Sequence, residues 1–161
     1  MDCDIREARR ATDLATVADL VDEYETWLVD AGLIPDGQPN EFRDPASAAM
    51  FQPPGGCTLI ALRGGAAAGC VGMHALDDDG ECEMKRLYVR PAFRAGGIGK
   101  LLVGEVITRA RAAGYTTMRL DTMPPMAGAI RMYEQFGFRP CDAYHDEHPQ
   151  GAICFELRLK D

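Results

Sequence analysis

The run Val89-Arg90-Pro91-Ala92-Phe93-Arg94-Ala95-Gly96-Gly97-Ile98-Gly99-Lys100-Leu101-Leu102 carries the residue types most suited to chemistry. Three glycines fall in four positions, after a strand-like run and before a helix-like one. Glycine lets the backbone turn left-handed and approach a ligand closely. A helix start adds free N–H groups and positive potential. The pattern is a backbone nest for phosphate. Charge is segregated to match. The chain holds 17 Lys and Arg against 25 Asp and Glu, a net charge of -8. Yet Met84 to Val103 carries Lys85, Arg86, Arg90, Arg94 and Lys100 and no acid, where composition alone would place about three acids. A merely solvated basic face would not need the glycines.

Other chemical patterns are weaker. Cys3, Cys57, Cys70, Cys82, Cys141 and Cys154 show no metal-ligand spacing, so no metal site is expected. Several sit in apolar runs, where a thiol behaves as a small hydrophobe, and they read as free thiols of a reducing cytoplasm. His74, His145 and His148 form no ligand pattern, and the last two read as surface loop. A Walker loop needs glycine five residues before Gly99 and Ser or Thr after Lys100; Arg94 and Leu101 stand there. A dinucleotide fingerprint from Gly97 needs Gly or Ala at Leu102.

The elements that position the loop follow from hydrophobic period. Asp4–Ala8 reads as a strand. Thr12 is placed to cap a helix carrying Leu14, Val17, Ala18, Val21, Tyr24 and Leu28 at helical spacing and ending at Gly32. A Pro- and Gly-rich loop and a short helix at 45–51 lead to strands at 57–62, 67–75 and 81–89, joined by short turns into an antiparallel meander. A helix from Ile98 stops at Gly114. The strand at 118–121 follows a crossover, so parallel pairing is expected. A helix over 126–136 stops at Gly137, and strands at 138–140 and 152–159 close the chain. This is an α/β fold in a single domain, 1–161. No apolar run is long enough to span a bilayer, no signal peptide is evident, and the acidity argues against nucleic acid as partner.

Arg94-x-x-Gly97-x-Gly99 resembles the acyl-CoA signature of the GNAT superfamily of N-acetyltransferases, Gln/Arg-x-x-Gly-x-Gly/Ala. Met132-Tyr133-Glu134-Gln135-Phe136-Gly137-Phe138 is similar to that family's closing segment, and Glu83–Val89 to its strand before the loop. The resemblance covers nearly the whole chain. It implies a mixed central sheet, with an antiparallel N-terminal meander and a parallel pair splayed at the acyl-CoA site, flanked by about four helices. One departure is Met126, where many members carry an asparagine that helps hold the pantetheine arm.

The resemblance further implies acetyl-CoA as co-substrate, an amine acceptor, direct transfer in a ternary complex, no metal, a cytoplasmic setting and possible homodimers. Backbone groups of Ala95, Gly96, Gly97, Ile98, Gly99 and Lys100 are expected at the pyrophosphate, with Arg94 holding the loop or touching phosphate. Leu87, Tyr88 and Val89 are expected to offer main-chain groups to pantetheine like an added strand. An alkyl ammonium must lose a proton before attack. Glu83, eleven residues before Arg94, is the expected base, with Glu81 a weaker candidate, unless Glu83 only pairs with Lys85 or Arg86. Tyr133 is the expected general acid for the departing thiolate, or else a hydrogen-bond donor to its sulfur. The acceptor pocket is expected between the first helix, the 32–45 loop and the 144–150 segment. Glu23, Tyr24 and Trp27 fall on or near the pocket side of the first helix; Tyr24 and Trp27 read as core, and Glu23 and Asp30 as solvated carboxylates with attraction of a cationic acceptor as the alternative. A small molecule is the expected acceptor; a protein amine or a non-catalytic acyl-CoA sensor are the alternatives. Gly97→Trp is expected to abolish acetyl-CoA binding in calorimetry; unchanged affinity would remove the phosphate assignment.

Overall fold

The computed structural model describes residues 2–160. Seven strands form one mixed sheet, in the order β1-β2-β3-β4-β5-β7-β6. They are β1 (Cys3–Glu7), β2 (Cys57–Arg63), β3 (Ala66–Ala75), β4 (Glu81–Val89), β5 (Thr117–Thr122), β6 (Arg139–Cys141) and β7 (Ile153–Arg158). The helices are α1 (Ala11–Asp30), α2 (Pro45–Ala49), α3 (Ile98–Ala112) and α4 (Ala127–Phe136). The expected architecture is present, with an antiparallel β1–β4 meander and a parallel β4–β5 pair. Among the described residues no helix is long and apolar enough to cross a membrane. Thr12 lies inside the first turn of α1, whose N-cap is Arg10 without a side-chain cap. Helical pattern outweighed capping chemistry there.

The two sheet faces bury separate cores. One packs Cys82, Met84, Met118 and Leu120 against Ile98, Leu102, Val103 and Val106 of α3. The other packs Ile60, Cys70 and Tyr88 against Val17, Leu20 and Val21 of α1, with Phe42 and Phe51.

β4 changes face part-way. Gly72 pairs with Lys85 and Cys70 with Tyr88, so two steps along β3 match three along β4. The extra residue is a bulge. Before it Cys82 and Met84 face α3; after it Leu87 and Val89 do. Lys85 and Arg86, though consecutive, both reach toward α1 and the 3₁₀ turn Glu41–Arg43. Arg86 has φ 62, left-handed backbone that costs a non-glycine residue roughly 1 kcal/mol or more. Its buried guanidinium is bonded by both Glu41 oxygens at 2.8 and 2.9 Å and lies 2.9 Å from Glu25. Those ion pairs hold the kink.

Parallel pairing of β4 with β5 covers only Glu81↔Thr117, Cys82↔Met118 and Glu83↔Arg119. Beyond it the strands part. β4 continues along β3 to Val89, and β5 continues along β7 to Thr122. Gly69 packs against the far half of β4: a Cβ there would lie 2.5 Å from Tyr88 O and 3.2 Å from Val89 Cα. Gly69→Ala is therefore expected to lose about 1–3 kcal/mol of stability, read as a lowered urea midpoint with unchanged slope.

Candidate active site

The gap between the parted strands opens into a cavity of about 580 Å³. Met84 to Leu87 form one wall and Leu120 to Met123 the other. Tyr133 of α4 and Met126 line it, as do Tyr24 and Leu28 of α1. Ile34, Pro35 and Gln38 and the segment from His145 to Gln150 close its outer side. The pocket thus lies where the sequence places it. Trp27 does not join it and is 40% exposed, against the expectation of a core position.

The glycine loop stands beside the cleft. A 3₁₀ turn, Pro91–Gly96, follows β4, and Gly97 caps α3 with φ 74 and no side-chain cap. A β-carbon would be strained at this φ. The first-turn N–H groups of α3 have no acceptor within the helix and face outward beside the exposed Ala95, Gly96 and Gly97. Arg94 donates from Nε to Val89 O at 2.9 Å and lies over the Tyr88 ring, so it holds the loop. The basic run is not one surface. Arg86 is consumed by Glu41 and Glu25, and Arg90 by Glu23 at 2.6 Å. Glu23 is thereby tied to Arg90 at the end of β4.

Tyr133 is 7% exposed, with its ring edge to face against Phe138. Burial pushes its phenol well above the usual range, and the charges of Tyr24 and Asp121 add to this. The side chain stays protonated at any working pH.

Glu83 is 2% exposed and does not line the cavity. It stands opposite His74 in the β3–β4 register and meets His74 Nε2 at 2.7 Å. Its other oxygen accepts from Tyr144 Oη and lies 3.3 Å from His145 Nε2. Burial raises this carboxyl, but hydrogen bonds from His74 and Tyr144 and the charge of Lys85 outweigh it and hold it at about 2. Such a carboxylate remains ionised and holds protons weakly. Glu81 is taken by Arg119, at 2.8 and 3.1 Å.

His145 and His148, read from sequence as surface loop, both line the cavity. Their rings stack at 3.8 Å, and Tyr144 packs edge-on to each. His148 Nδ1 meets Asp121 Oδ2 at 2.7 Å, and its Nε2 accepts from Tyr144 N at 3.3 Å. Asp121, His145 and His148 offer ligand atoms within 4.8 Å of one another. Nearly parallel stacked rings do not aim their lone pairs at one point. Only three-dimensional placement reveals them. The available signal was two histidines and a tyrosine in a five-residue span.

The match to known proteins agrees with this geometry. A model of the acetyltransferase (GNAT) family covers residues 17–138. The chain belongs to the GNAT family. An uncharacterized N-acetyltransferase of Schizosaccharomyces pombe is 44% identical over 110 residues, 68% of each chain. The N-acetylaspartate synthetase of Danio rerio is 34% identical over 89 residues, 55% of this chain and 32% of that one. The chain spans between 32% and 52% of the length of several such relatives. A solved acetyltransferase-like structure from Salmonella typhimurium with acetyl-CoA has 20% identity, a TM-score of 0.75, and coverage of 99% of this chain and 95% of its own.

The folded pKa of Glu83 lies below its ordinary 4.5, so its stabilising contribution is present above pH 4.5 and is lost as pH falls through about 2. Glu83→Gln is expected to lose on the order of 3 kcal/mol at pH 7. In urea titrations the gap to the wild type should narrow at pH 3; a gap constant with pH would count against the ionised pairing.

Proposed function

We propose that this GNAT protein transfers the acetyl group of acetyl-CoA directly to the amine of a small molecule. The observation that carries this reading is the β4–β5 cleft, with an uncapped glycine helix start beside it and a protonated tyrosine in its wall. The free N–H groups around Gly97 fit a pyrophosphate. The main-chain edge of Leu87, Tyr88 and Val89 that faces away from β3 fits the amides of a pantetheine arm laid between the strands. A backbone N–H of this bulged stretch would serve to stabilise the negative charge that develops on the thioester oxygen. No covalent enzyme intermediate is required.

Tyr133 serves as hydrogen-bond donor to the departing sulfur. A thiol with a pKa of roughly 8.5 is a stronger acid than the raised phenol, so stabilisation of the thiolate outweighs full proton transfer. Glu83 is a positioning residue: it fixes Tyr144 and His145 and so shapes the outer wall. The proton of the ammonium leaves toward the groups that do face the cavity, Asp121 with His148. This moves the base role away from Glu83, whose low pKa keeps it from titrating at working pH. The walls contributed by α1, residues 34–38 and residues 145–150 fit a small acceptor. The related Danio rerio protein, an N-acetylaspartate synthetase, makes a small acetylated product.

Tyr133→Phe is expected to lower turnover about 10²-fold with acetyl-CoA affinity little changed. Acetylation of an amine panel by mass spectrometry, paired with calorimetry, reads both. Wild-type turnover in the variant would reduce Tyr133 to packing. Acetyl-CoA binding without transfer to any amine would favour a sensor.

A further inference from the structure

Two opposite charges face each other across the cleft without pairing. The register Glu83↔Arg119 is the last parallel pair. Two residues further along each strand stand Lys85 and Asp121, and there the strands have already separated. Both line the cavity. Glu81, paired with Arg119, shows that odd-numbered residues of β4 and β5 share one sheet face. With continued pairing Lys85 and Asp121 would meet in the same way. The splay keeps them apart.

Each charge is also incompletely used. Lys85 Nζ makes no hydrogen bond among the described residues. Its ion-pair neighbour is a Glu41 oxygen at 3.7 Å, which Arg86 already holds at 2.8 Å. Its side chain is 38% exposed. Asp121 gives Oδ2 to His148, while Oδ1 has no protein partner among the described residues. Of the other charged groups in the wall, Arg86 is neutralised by Glu25 and Glu41, and Glu147 is exposed on the outer segment.

We propose that the acceptor is a free amino acid, its ammonium held by Asp121 beside Tyr133 and its carboxylate held by Lys85, which makes Lys85 the specificity-determining residue. This rests on the acetyl-transfer reading and narrows its acceptor. A plain amine would leave Lys85 unanswered in a half-desolvated wall. A polyamine would bring a second cation against it. A peptide N-terminus has the carboxyl carbon beside its amine tied up in an amide and offers Lys85 no α-carboxylate. Lys85 touches the part of the acceptor that does not react. Its loss should therefore raise KM and leave kcat nearly unchanged, which separates it from a residue that merely supports the fold.

The test titrates matched pairs into the protein saturated with coenzyme A: L-leucine with isopentylamine, L-phenylalanine with phenethylamine, L-lysine with cadaverine. Acetyl transfer to the same compounds is measured separately. The wild type is expected to bind the amino acid of at least one pair about 10-fold or more tightly than its decarboxylated partner. Lys85→Met should bring that pair close to parity by weakening the amino acid alone, and Lys85→Glu should favour cadaverine over L-lysine. Equal binding within every pair, no binding of any compound, or a preference that survives in Lys85→Met would overturn the proposal. A wild-type preference that is lost in Lys85→Met, without acetyl transfer to any compound, would support the binding assignment and overturn the transfer reading instead.

Discussion

The separation of β4 from β5 is the constraint on which the rest depends. Buried main-chain groups must find partners, so a sheet does not open in its middle without compensation. Here each strand keeps its other edge satisfied, β4 through β3 and β5 through β7. The groups left over on the inner edges are the ones a polar, extended ligand can use. The three-residue parallel contact acts as the pivot. Glu81 with Arg119 closes it on one side, and the β5–β7 pairing keeps the second wall straight.

Pairing inside the fold takes up much of the local positive charge. Arg86 and Arg90 spend their charge on α1 and on the turn after it, through Glu25, Glu41 and Glu23. They fix how the helix lies over β4. What remains at the glycine loop is chiefly main chain, an N-terminus without a side-chain cap. A nest of this kind attracts anions through oriented dipoles. Such attraction is local and is compatible with a net charge of -8.

The antiparallel meander, the parallel pair and the glycine loop were legible because they rest on local signals: period two, period 3.6, turn residues and a spaced motif. The resemblance pointed to Tyr133 and to β4, both of which supply cavity wall. The environment of Glu83 was not legible. Its meaning depends on His74 in one neighbouring strand and on Tyr144 and His145 sixty residues onward. Nothing in local sequence tells a solvated strand carboxylate from one enclosed by donors. Trp27 failed for a related reason: helical spacing gives a face but not what covers it. The bulge at Arg86 was hidden too, because a non-glycine residue in left-handed backbone leaves no compositional mark. His145 and His148 escaped notice since a stacked pair closing onto Asp121 has no fixed spacing to search for.

The bulge also has a meaning for the grammar of the strand. A strand carries a parity: odd residues look one way and even residues the other. One inserted residue reverses the parity of everything after it. β4 is thus two half-strands written in opposite phase, and the change of phase is what puts Lys85 and Arg86 side by side. A regular strand of the same nine residues would turn the second half over, with Leu87 and Val89 toward α1 and Tyr88 toward α3. Loss of the extra residue would instead restore simple alternation and leave those side chains on the faces they occupy. The bulge, and not alternation alone, decides which face each residue of the second half takes, so it is as much a part of the site as the identity of any residue in it.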